Sequence, residues 1–262
     1  MKMKFFKYQG TGNDFVLIDN RENSFNGNVG LLCDRKFGIG ADGLMLLENA
    51  EGFDFRMVYY NSDGNESTMC GNGGRCIVAF AKYLGIINDN ASFIAIDGPH
   101  AARIDSNNQV SLGMIGVKEV EQVNNTNFVL NTGSPHYVQF KDNVSHMDLV
   151  KDAQGIRHNN RFSKEGINVN FVEQQGDVLK VRTYERGVED ETLSCGTGVT
   201  AVAIAFHEKN GSTEGHFSQK IKVQGGQLEV NFTFSKEIGY KKIQLIGPTE
   251  MVFSGEIESK PL

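Results

Sequence analysis

The chain has 262 residues, of which 39% are hydrophobic and 22% charged, so it can bury a core of one large or two small domains. Its net charge of −6 disfavours a nucleic-acid partner, because phosphate binding requires a basic face. No apolar run approaches membrane-spanning length, and residues 1–7 lack the apolar segment of a signal peptide. We therefore expect a cytoplasmic protein that does not associate with membranes.

The first half of the chain predicts short strands on both sides of one central helix. Residues 10–14 read Gly-Thr-Gly-Asn-Asp, which is typical of a tight turn between two strands. Apolar residues at helical spacing predict a helix over 71–84, with Gly85 as its C-cap. The other predicted elements are strands within 5–19, a short helix at 29–36, and strands at 44–47, 53–60, 93–96, 102–104 and 110–112.

The second half predicts a similar order of elements. A polar stretch at 116–127 is the candidate domain boundary. Residues 199–206 are apolar on nearly every face, which predicts a helix enclosed by sheet. The other predicted elements are a helix at 147–155 and strands at 128–130, 137–140, 168–172, 179–184, 221–225, 242–245 and 251–257.

The two halves share one pattern: a strand, a tyrosine, a polar acidic loop, Cys-Gly-x-Gly and an apolar helix. A repeat of about 120 residues predicts two pseudo-symmetric α/β domains. We place them at residues 1–117 and 118–249, and expect residues 250–262 to return to the sheet of the first domain.

Four cysteines are too few for a disulfide framework in a chain of this length. Cys33 and Cys76 are predicted to be small buried hydrophobic residues. Cys70 and Cys76 are spaced too widely for a typical zinc site, and no histidine pair completes one, so no metal is expected.

Cys70 and Cys195 each precede a predicted central helix. Free N–H groups and the helix dipole favour negative charge there, so a thiol at this position ionises more readily. One thiolate could remove a proton from a carbon while a thiol returns a proton on the opposite face, which inverts the centre. This chemistry requires no cofactor.

Six motifs occur in order: GTGNDF at 10–15, GIGAD at 38–42, YNSDG at 60–64, CGNGGRC at 70–76, YERG at 184–187 and CGTG at 195–198. In these motifs the chain resembles the diaminopimelate epimerase family over essentially its whole length. The resemblance implies an α/β (α+β) fold of two pseudo-symmetric domains, each a mostly antiparallel sheet or open barrel around a central helix. It also implies cofactor-independent epimerisation of LL- to meso-diaminopimelate in lysine and cell-wall precursor biosynthesis, by a cytoplasmic homodimer.

The resemblance assigns roles residue by residue. Cys70 and Cys195 match the acid/base pair, and His136 and Glu185 match a pair that tunes the thiol pKa values. The positions that match substrate-binding residues are Asn13, Asn61, Gly71, Asn72, Asn168, Glu185, Arg186, Gly196 and Thr197.

The chain departs from the family pattern at three places. Gly43 stands where some members have a substrate-contacting glutamine, so that role is not carried over. Ser134 stands where the family usually has asparagine, and its hydroxyl reaches less far than an amide. The loop between Glu185 and Cys195 is one residue longer than usual and carries acidic residues within 188–192.

Three other functions deserve comparison. A proline racemase or hydroxyproline 2-epimerase also uses two thiols, but the YERG and GTGND motifs favour diaminopimelate. A phenazine-biosynthesis-like isomerase does not keep both cysteines. A thiol redox protein is disfavoured because neither a Cys-x-x-Cys pair nor a resolving cysteine is present.

Overall fold

The computed structural model describes residues 2–258, which fall into two compact units. The first unit runs to Leu112 and takes up the chain again at Gly247, and the second extends from Gly113 to Ile246. The predicted boundaries are 117/118 and 249/250. Residue 1 and residues 259–262, which the predicted domain ranges include, lie outside the described residues.

Both units consist of many short strands and few helices. Up to residue 113 the elements are β1 (Lys2–Gly10), β2 (Asn13–Asp19), α1 (Val29–Cys33), β3 (Gly43–Glu48), β4 (Phe55–Asn61), β5 (Glu66–Ser67), α2 (Gly71–Tyr83), β6 (Asn90–Ala95), β7 (Gly98–Ile104) and β8 (Gln109–Gly113). They continue with β9 (Val120–Gln122), β10 (Asn127–Asn131), β11 (Pro135–Phe140), a 3-10 turn (Val144–His146), α3 (Leu149–Arg157), β12 (Asn168–Gln175), β13 (Val178–Glu185), β14 (Asp190–Thr192), α4 (Gly196–Lys209), β15 (Gly215–Val223), β16 (Gly226–Ser235), β17 (Gly239–Pro248) and β18 (Glu250–Glu258).

The sheet of the first unit has the strand order β18-β1-β2-β3-β4-β6-β7-β8. Neighbouring strands are antiparallel except β2–β3 and β4–β6, which are parallel. The short strand β5 pairs with the end of β4 that precedes α2. Chain reversal at the β1–β2 hairpin uses Thr11 and Gly12, both at positive φ (51° and 85°), as a two-residue hairpin turn requires.

The second unit repeats this topology. Its strand order is β9-β10-β11-β12-β13-β15-β16-β17, with the parallel pairs β11–β12 and β13–β15 at the corresponding places. The short strand β14 pairs with the end of β13, as β5 does with β4. This correspondence confirms the predicted fold class of two pseudo-symmetric halves.

The last described strand belongs to the first unit. β18 pairs antiparallel with β1, from Lys2 opposite Glu258 to Gln9 opposite Glu250. It occupies the place on β1 that β9 occupies on β10, so each sheet carries one additional strand at this edge.

The central helices are buried, as their composition predicts. Phe80 of α2 is fully buried and packs on Phe6 and Tyr8 of β1, with ring centroids 4.9 and 5.9 Å apart. In α4 the apolar residues from Val199 to Ala205 all lie in one core cluster with residues of the surrounding strands. Neither α2 nor α4, nor any other helix in residues 2–258, is long and apolar enough to cross a membrane.

Two predicted helix boundaries are wrong. Helix α1 ends at Cys33 and not at 36, because the Asp34 carboxylate accepts the N–H groups of Lys36 and Phe37 and closes a turn. Helix α3 begins at Leu149, two residues after the predicted start, because Asp148 is its N-cap and accepts the N–H of Lys151. The polar stretch at 116–127 contains β9, whose partner strand β10 supplies the apolar residues.

We expect the substitution Phe80→Ala to lower the free energy of unfolding by about 3–5 kcal/mol, because it leaves a cavity between α2 and β1. Lys82→Ala on the same helix removes a partly exposed ion pair with Asp89 and a 3.4 Å hydrogen bond to the Asp105 carbonyl, and should cost less than about 1 kcal/mol. Urea unfolding of both variants tests this expectation. Equal losses would contradict the central position of α2.

Candidate active site

Cys70 is the N-cap residue of α2, with extended backbone angles (φ −99°, ψ 146°). Its Sγ accepts the N–H of Gly73 at 3.2 Å. A Cβ atom on Gly73 would lie 3.2 Å from that sulfur, so glycine lets the first helical turn approach it. The half-buried sulfur therefore lies where a helix N-terminus stabilises a thiolate.

A chain of oriented hydrogen bonds lies behind Cys70. Arg75 Nη2 donates to Asn72 Oδ1 at 3.2 Å, Asn72 Nδ2 donates to Asn13 Oδ1 at 3.2 Å, and Asn13 Nδ2 donates to Asp42 Oδ2 at 2.7 Å. A guanidinium can only donate and a carboxylate oxygen can only accept, so both amide groups are fixed in orientation. The structure thus joins Asn13 and Asn72 by a hydrogen bond, and adds the two charged residues that orient them.

Arg75 is fully buried at the start of α2. Its guanidinium also donates to the Gly71 carbonyl at 3.2 Å and to the hydroxyl of Thr11 at 3.3 Å. Burial lowers the pKa of Arg75, whereas the sulfurs of Cys76 and Cys70 act to raise it. This buried cation therefore favours an anionic sulfur at Cys70.

Two carboxylates hold the β1–β2 turn beside these amides. Asp14 pairs with Lys7 at 2.7 Å and with Arg35 at 2.7 Å, and Arg35 also reaches Asp42 at 2.7 Å. Burial acts to raise the pKa of Asp14, but the hydrogen bonds from Arg35 and Lys7 hold it well below its usual range. Asn13 consequently lies next to a cluster of paired charges.

Cys195 is the N-cap residue of α4, the position equivalent to Cys70, and is buried. Its Sγ lies 3.5 Å from the hydroxyl of Thr197 and also hydrogen-bonds the carboxylate of Glu185. Glu185 accepts a further bond from the Thr192 hydroxyl at 3.0 Å. Burial raises the pKa of Glu185, and the bonds from Thr192 and Cys195 act to lower it.

His136 is fully buried and reaches Cys195 through Thr197. Its Nε2 lies 2.9 Å from the Thr197 hydroxyl, and its Nδ1 lies 3.1 Å from Nδ2 of Asn170. Burial, followed by the charge of Arg186, lowers the pKa of His136 to about 3. His136 is therefore neutral near pH 7.

Asn168 organises its neighbours within the second unit. Its Nδ2 donates to Ser134 Oγ at 2.8 Å and to the Pro135 carbonyl at 3.0 Å, while its Oδ1 accepts the Arg186 N–H at 2.8 Å. The exposed guanidinium of Arg186 also donates to the Glu165 carbonyl at 2.9 Å. Ser134 therefore keeps a polar partner where the family has asparagine.

The acidic residues of the longer loop have structural partners. Glu191 forms a bidentate pair with Arg182, at 2.7 and 2.6 Å. Glu189 accepts bonds from Arg157 at 3.1 Å and from the Tyr184 hydroxyl at 3.0 Å. These pairs hold β14 against β13, which positions Thr192 beside Glu185.

The remaining predicted residues lie at element ends. Gly71 and Gly196 are the first residues of α2 and α4, and their carbonyls accept bonds from the Arg75 guanidinium and the Thr200 hydroxyl. Asn61 ends β4, where its backbone N–H donates to the Asn65 carbonyl at 3.0 Å. That bond involves its main chain, so substrate binding by its side chain stays a prediction.

Sequence reasoning missed Asn170 and Asp42. Asn170 lies two residues after Asn168 on β12, on the same face of the strand, and is fully buried. Two asparagines spaced two residues apart on a predicted strand share one face of it. They could have indicated a hydrogen-bonded cluster there, because buried polar groups require partners. Asp42 lay in the GIGAD motif, but the sequence did not indicate its pairing with Asn13.

The other cysteines are structural, as predicted. Burial raises the pKa of Cys33 to about 11 and that of Cys76 to about 12, so neither thiol ionises readily. Neither Cys33 nor Cys76 forms a disulfide bond. In residues 2–258 no group of three or more His, Cys, Asp or Glu side chains is placed to hold a metal ion.

Comparison with known proteins gives a consistent assignment. The family model for diaminopimelate epimerase matches residues 5–120 and 128–249. A Flavobacterium psychrophilum protein named diaminopimelate epimerase is 55% identical over 260 residues, which cover 97% of this chain and 100% of that protein.

Solved structures with lower identity show the fold alone. A Bacillus anthracis phenazine biosynthesis protein of the PhzF family has a TM-score of 0.74 at 13% identity, covering 98% of this chain and 99% of that one. A hydroxyproline epimerase from Agrobacterium vitis, with bound trans-4-hydroxy-L-proline, has a TM-score of 0.68 at 14% identity, covering 99% and 94%.

We expect Gly198→Ala to lower the free energy of unfolding by about 1–3 kcal/mol, because the new Cβ would lie 2.6 Å from Asn170 Oδ1. Gly155→Ala on α3 is the matched control: its Cβ meets nothing within 4 Å, and alanine favours a helix, so stability should rise by up to about 1 kcal/mol. Urea unfolding distinguishes the two. A stabilised Gly198→Ala variant would contradict the close contact between α4 and β12.

The pKa of His136 predicts a pH-dependent loss of stability. Its folded pKa of about 3 lies below the ordinary value near 6.5, so the unfolded chain binds the proton first as the pH falls. The contribution of the neutral His136 ring to the free energy of unfolding is therefore present above pH 6.5. It should shrink by roughly 2 kcal/mol between pH 7 and pH 5. Urea unfolding at both pH values should show a smaller loss in His136→Gln than in the unmodified protein; equal losses would contradict a neutral buried imidazole.

Proposed function

Because the chain belongs to the diaminopimelate epimerase family, we propose that it interconverts LL- and meso-diaminopimelate. The reaction is an isomerisation at one carbon that removes and returns a proton. Cys70 and Cys195 are the acid/base pair in this proposal, and no cofactor takes part. The observation that carries it is the repeat itself, since each half places a cysteine at the N-cap of its central helix.

The chemistry requires each thiol to serve both as base and as acid, because the reaction is reversible. A thiolate base takes the α-proton from one face, and the other thiol returns a proton to the opposite face. Cys195 is suited to both states, since the Thr197 hydroxyl can donate to a thiolate and the Glu185 carboxylate can accept from a thiol. Cys70 is supported as a thiolate by the Gly73 N–H and the charge of Arg75.

The carbanion formed by proton removal requires stabilisation of its negative charge. N–H groups at helix N-termini are suited to bind the substrate carboxylate next to the reacting carbon. The candidate groups are those of Gly71 and Asn72 in α2, and of Gly196 and Thr197 in α4. Arg186 carries the planar set of donors that matches a second carboxylate. We further propose substrate contacts for Asn13, Asn61, Asn168 and Glu185, and tuning of the thiols by His136 and Glu185.

Family membership also supports a proposal for the metabolic role, the location and the oligomeric state of the protein. We propose that the protein supplies meso-diaminopimelate for lysine and cell-wall precursor biosynthesis in the cytoplasm, and that it acts as a homodimer. The hydroxyproline epimerase among the solved structures shares only 14% identity and therefore supports the fold and not its substrate.

Incubation of the purified protein with LL-diaminopimelate in heavy water, without pyridoxal phosphate, should exchange the α-hydrogen and form the meso isomer. Cys70→Ala and Cys195→Ala should each lower epimerisation at least about 10²- to 10⁴-fold, because each removes one acid/base group. Cys33→Ala, which changes a buried thiol outside this pair, is the matched control and should retain activity near that of the unmodified enzyme.

Two outcomes would contradict the proposal. Exchange on proline but not on diaminopimelate would show that the substrate is wrong. Full epimerase activity in either Cys70→Ala or Cys195→Ala would rule out the two-thiol mechanism.

A further inference from the structure

We propose that Asn170 is a positioning residue that fixes His136 as the Nε2–H tautomer, and thereby directs the hydroxyl proton of Thr197 toward Cys195. The hydrogen bonds among these residues do not depend on the identity of the substrate, but their role in catalysis rests on the proposed function. The four residues, called here the Asn170 chain, are Asn170, His136, Thr197 and Cys195. All of them lie in the second unit.

The orientation of the Asn170 amide is set by two neighbours. Its Nδ2 lies 3.1 Å from the Tyr137 carbonyl, which can only accept a hydrogen bond. Its Oδ1 accepts the Thr183 hydroxyl at 2.9 Å. The amide nitrogen therefore faces His136, and Gly198 provides the space for this side chain against α4.

The Asn170 nitrogen determines which ring nitrogen of His136 carries the proton. Because Nδ2 donates to Nδ1 at 3.1 Å, Nδ1 must offer a lone pair. Burial and the charge of Arg186 keep the ring neutral, so its single proton is on Nε2. That Nε2–H donates to the Thr197 oxygen at 2.9 Å.

The Thr197 hydroxyl connects His136 to the sulfur of Cys195. With its oxygen accepting from His136, the hydroxyl proton is available for Cys195 Sγ, 3.5 Å away. An O–H donor stabilises a thiolate more than a thiol. The opposite His136 tautomer would accept the Thr197 proton itself and remove this donor from the sulfur.

The Asn170 chain therefore supports the base form of Cys195. The charged groups that face it are Glu185, which binds the sulfur directly and favours the thiol, and Arg186, whose charge acts on His136. Asn170 acts on the balance between thiolate and thiol without touching the sulfur.

The tautomer can be observed directly in protein labelled with ¹⁵N-histidine, with the His136 signals assigned by their loss in His136→Gln. We expect a protonated Nε2 and an unprotonated Nδ1 from pH 8 down to pH 5. In Asn170→Asp the carboxylate can only accept, so the proton should move to Nδ1. Asn210→Asp, which adds the same charge at the exposed C-cap of α4, should leave the His136 spectrum unchanged.

The effect on the sulfur can be measured as the alkylation rate of Cys195 by iodoacetamide at pH 7, in a Cys70→Ala background and without substrate. Asn170→Asp should slow the reaction about tenfold, because the thiolate loses one charge-assisted hydrogen bond. Asn170→Leu should also slow it without adding charge. Thr197→Val should slow it by the same factor as Asn170→Asp, and the double variant should be no slower than Thr197→Val.

A wild-type His136 that carries its proton on Nδ1, or is doubly protonated at pH 7, would overturn the proposal. So would alkylation losses that multiply in the double variant, since Asn170 would then act on Cys195 by another path. If Asn170→Asp does not fold, the wild-type spectrum and Asn170→Leu give the same decision. If the purified protein lacks epimerase activity but shows the expected His136 tautomer and alkylation rates, the proposed function is refuted and the role of Asn170 stands.

Discussion

The burial of a helix N-terminus inside a sheet is the constraint on which both halves of this protein depend. The first turn of a helix carries N–H groups without intrahelical partners, and burying them is costly unless an acceptor lies nearby. Both central helices have a cysteine as their N-cap residue, and in α2 its sulfur accepts one of these N–H groups. The small residues that follow each cysteine are required because neighbouring groups lie in contact with the first turn, as Gly73 with Cys70 and Gly198 with Asn170 show.

The repeated scaffold carries different polar surroundings in its two copies. Behind Cys70 the hydrogen bonds start from a buried cation, Arg75, and end on a carboxylate. Around Cys195 the partners are a neutral imidazole acting through a hydroxyl and a buried carboxylate. The same backbone placement thus supports a thiolate by a nearby charge in one half, and by a balance of donor and acceptor in the other. An enzyme that exchanges protons in both directions can use two thiols whose protonation is set by different means.

Much of the fold was accessible from the sequence because the repeat doubles each signal. The apolar residues of α4 predicted a buried helix, and the cysteine–glycine pattern predicted the start of both helices. The errors fall where side chains of single residues decide the outcome, as when Asp34 ends α1 and Asp148 begins α3. In the candidate site the motifs named individual residues, whereas the hydrogen bonds that orient those residues could not be predicted. Asp42 and Asn170 lie 29 and 34 residues from the side chains they orient, and no local pattern encodes such a pairing.

The sequence by itself determined the repeat, the two cysteines at helix starts and the family, since these depend on residue type and spacing along the chain. Only the tertiary structure decided what each sulfur and amide contacts, because hydrogen-bond direction depends on which groups the strands bring within about 3 Å. The contrast is clearest at His136, where the sequence could name a histidine suited to tuning a thiol. Its full burial, its neutral state and its bond to Thr197 follow from the packing of β11 and β12 against α4.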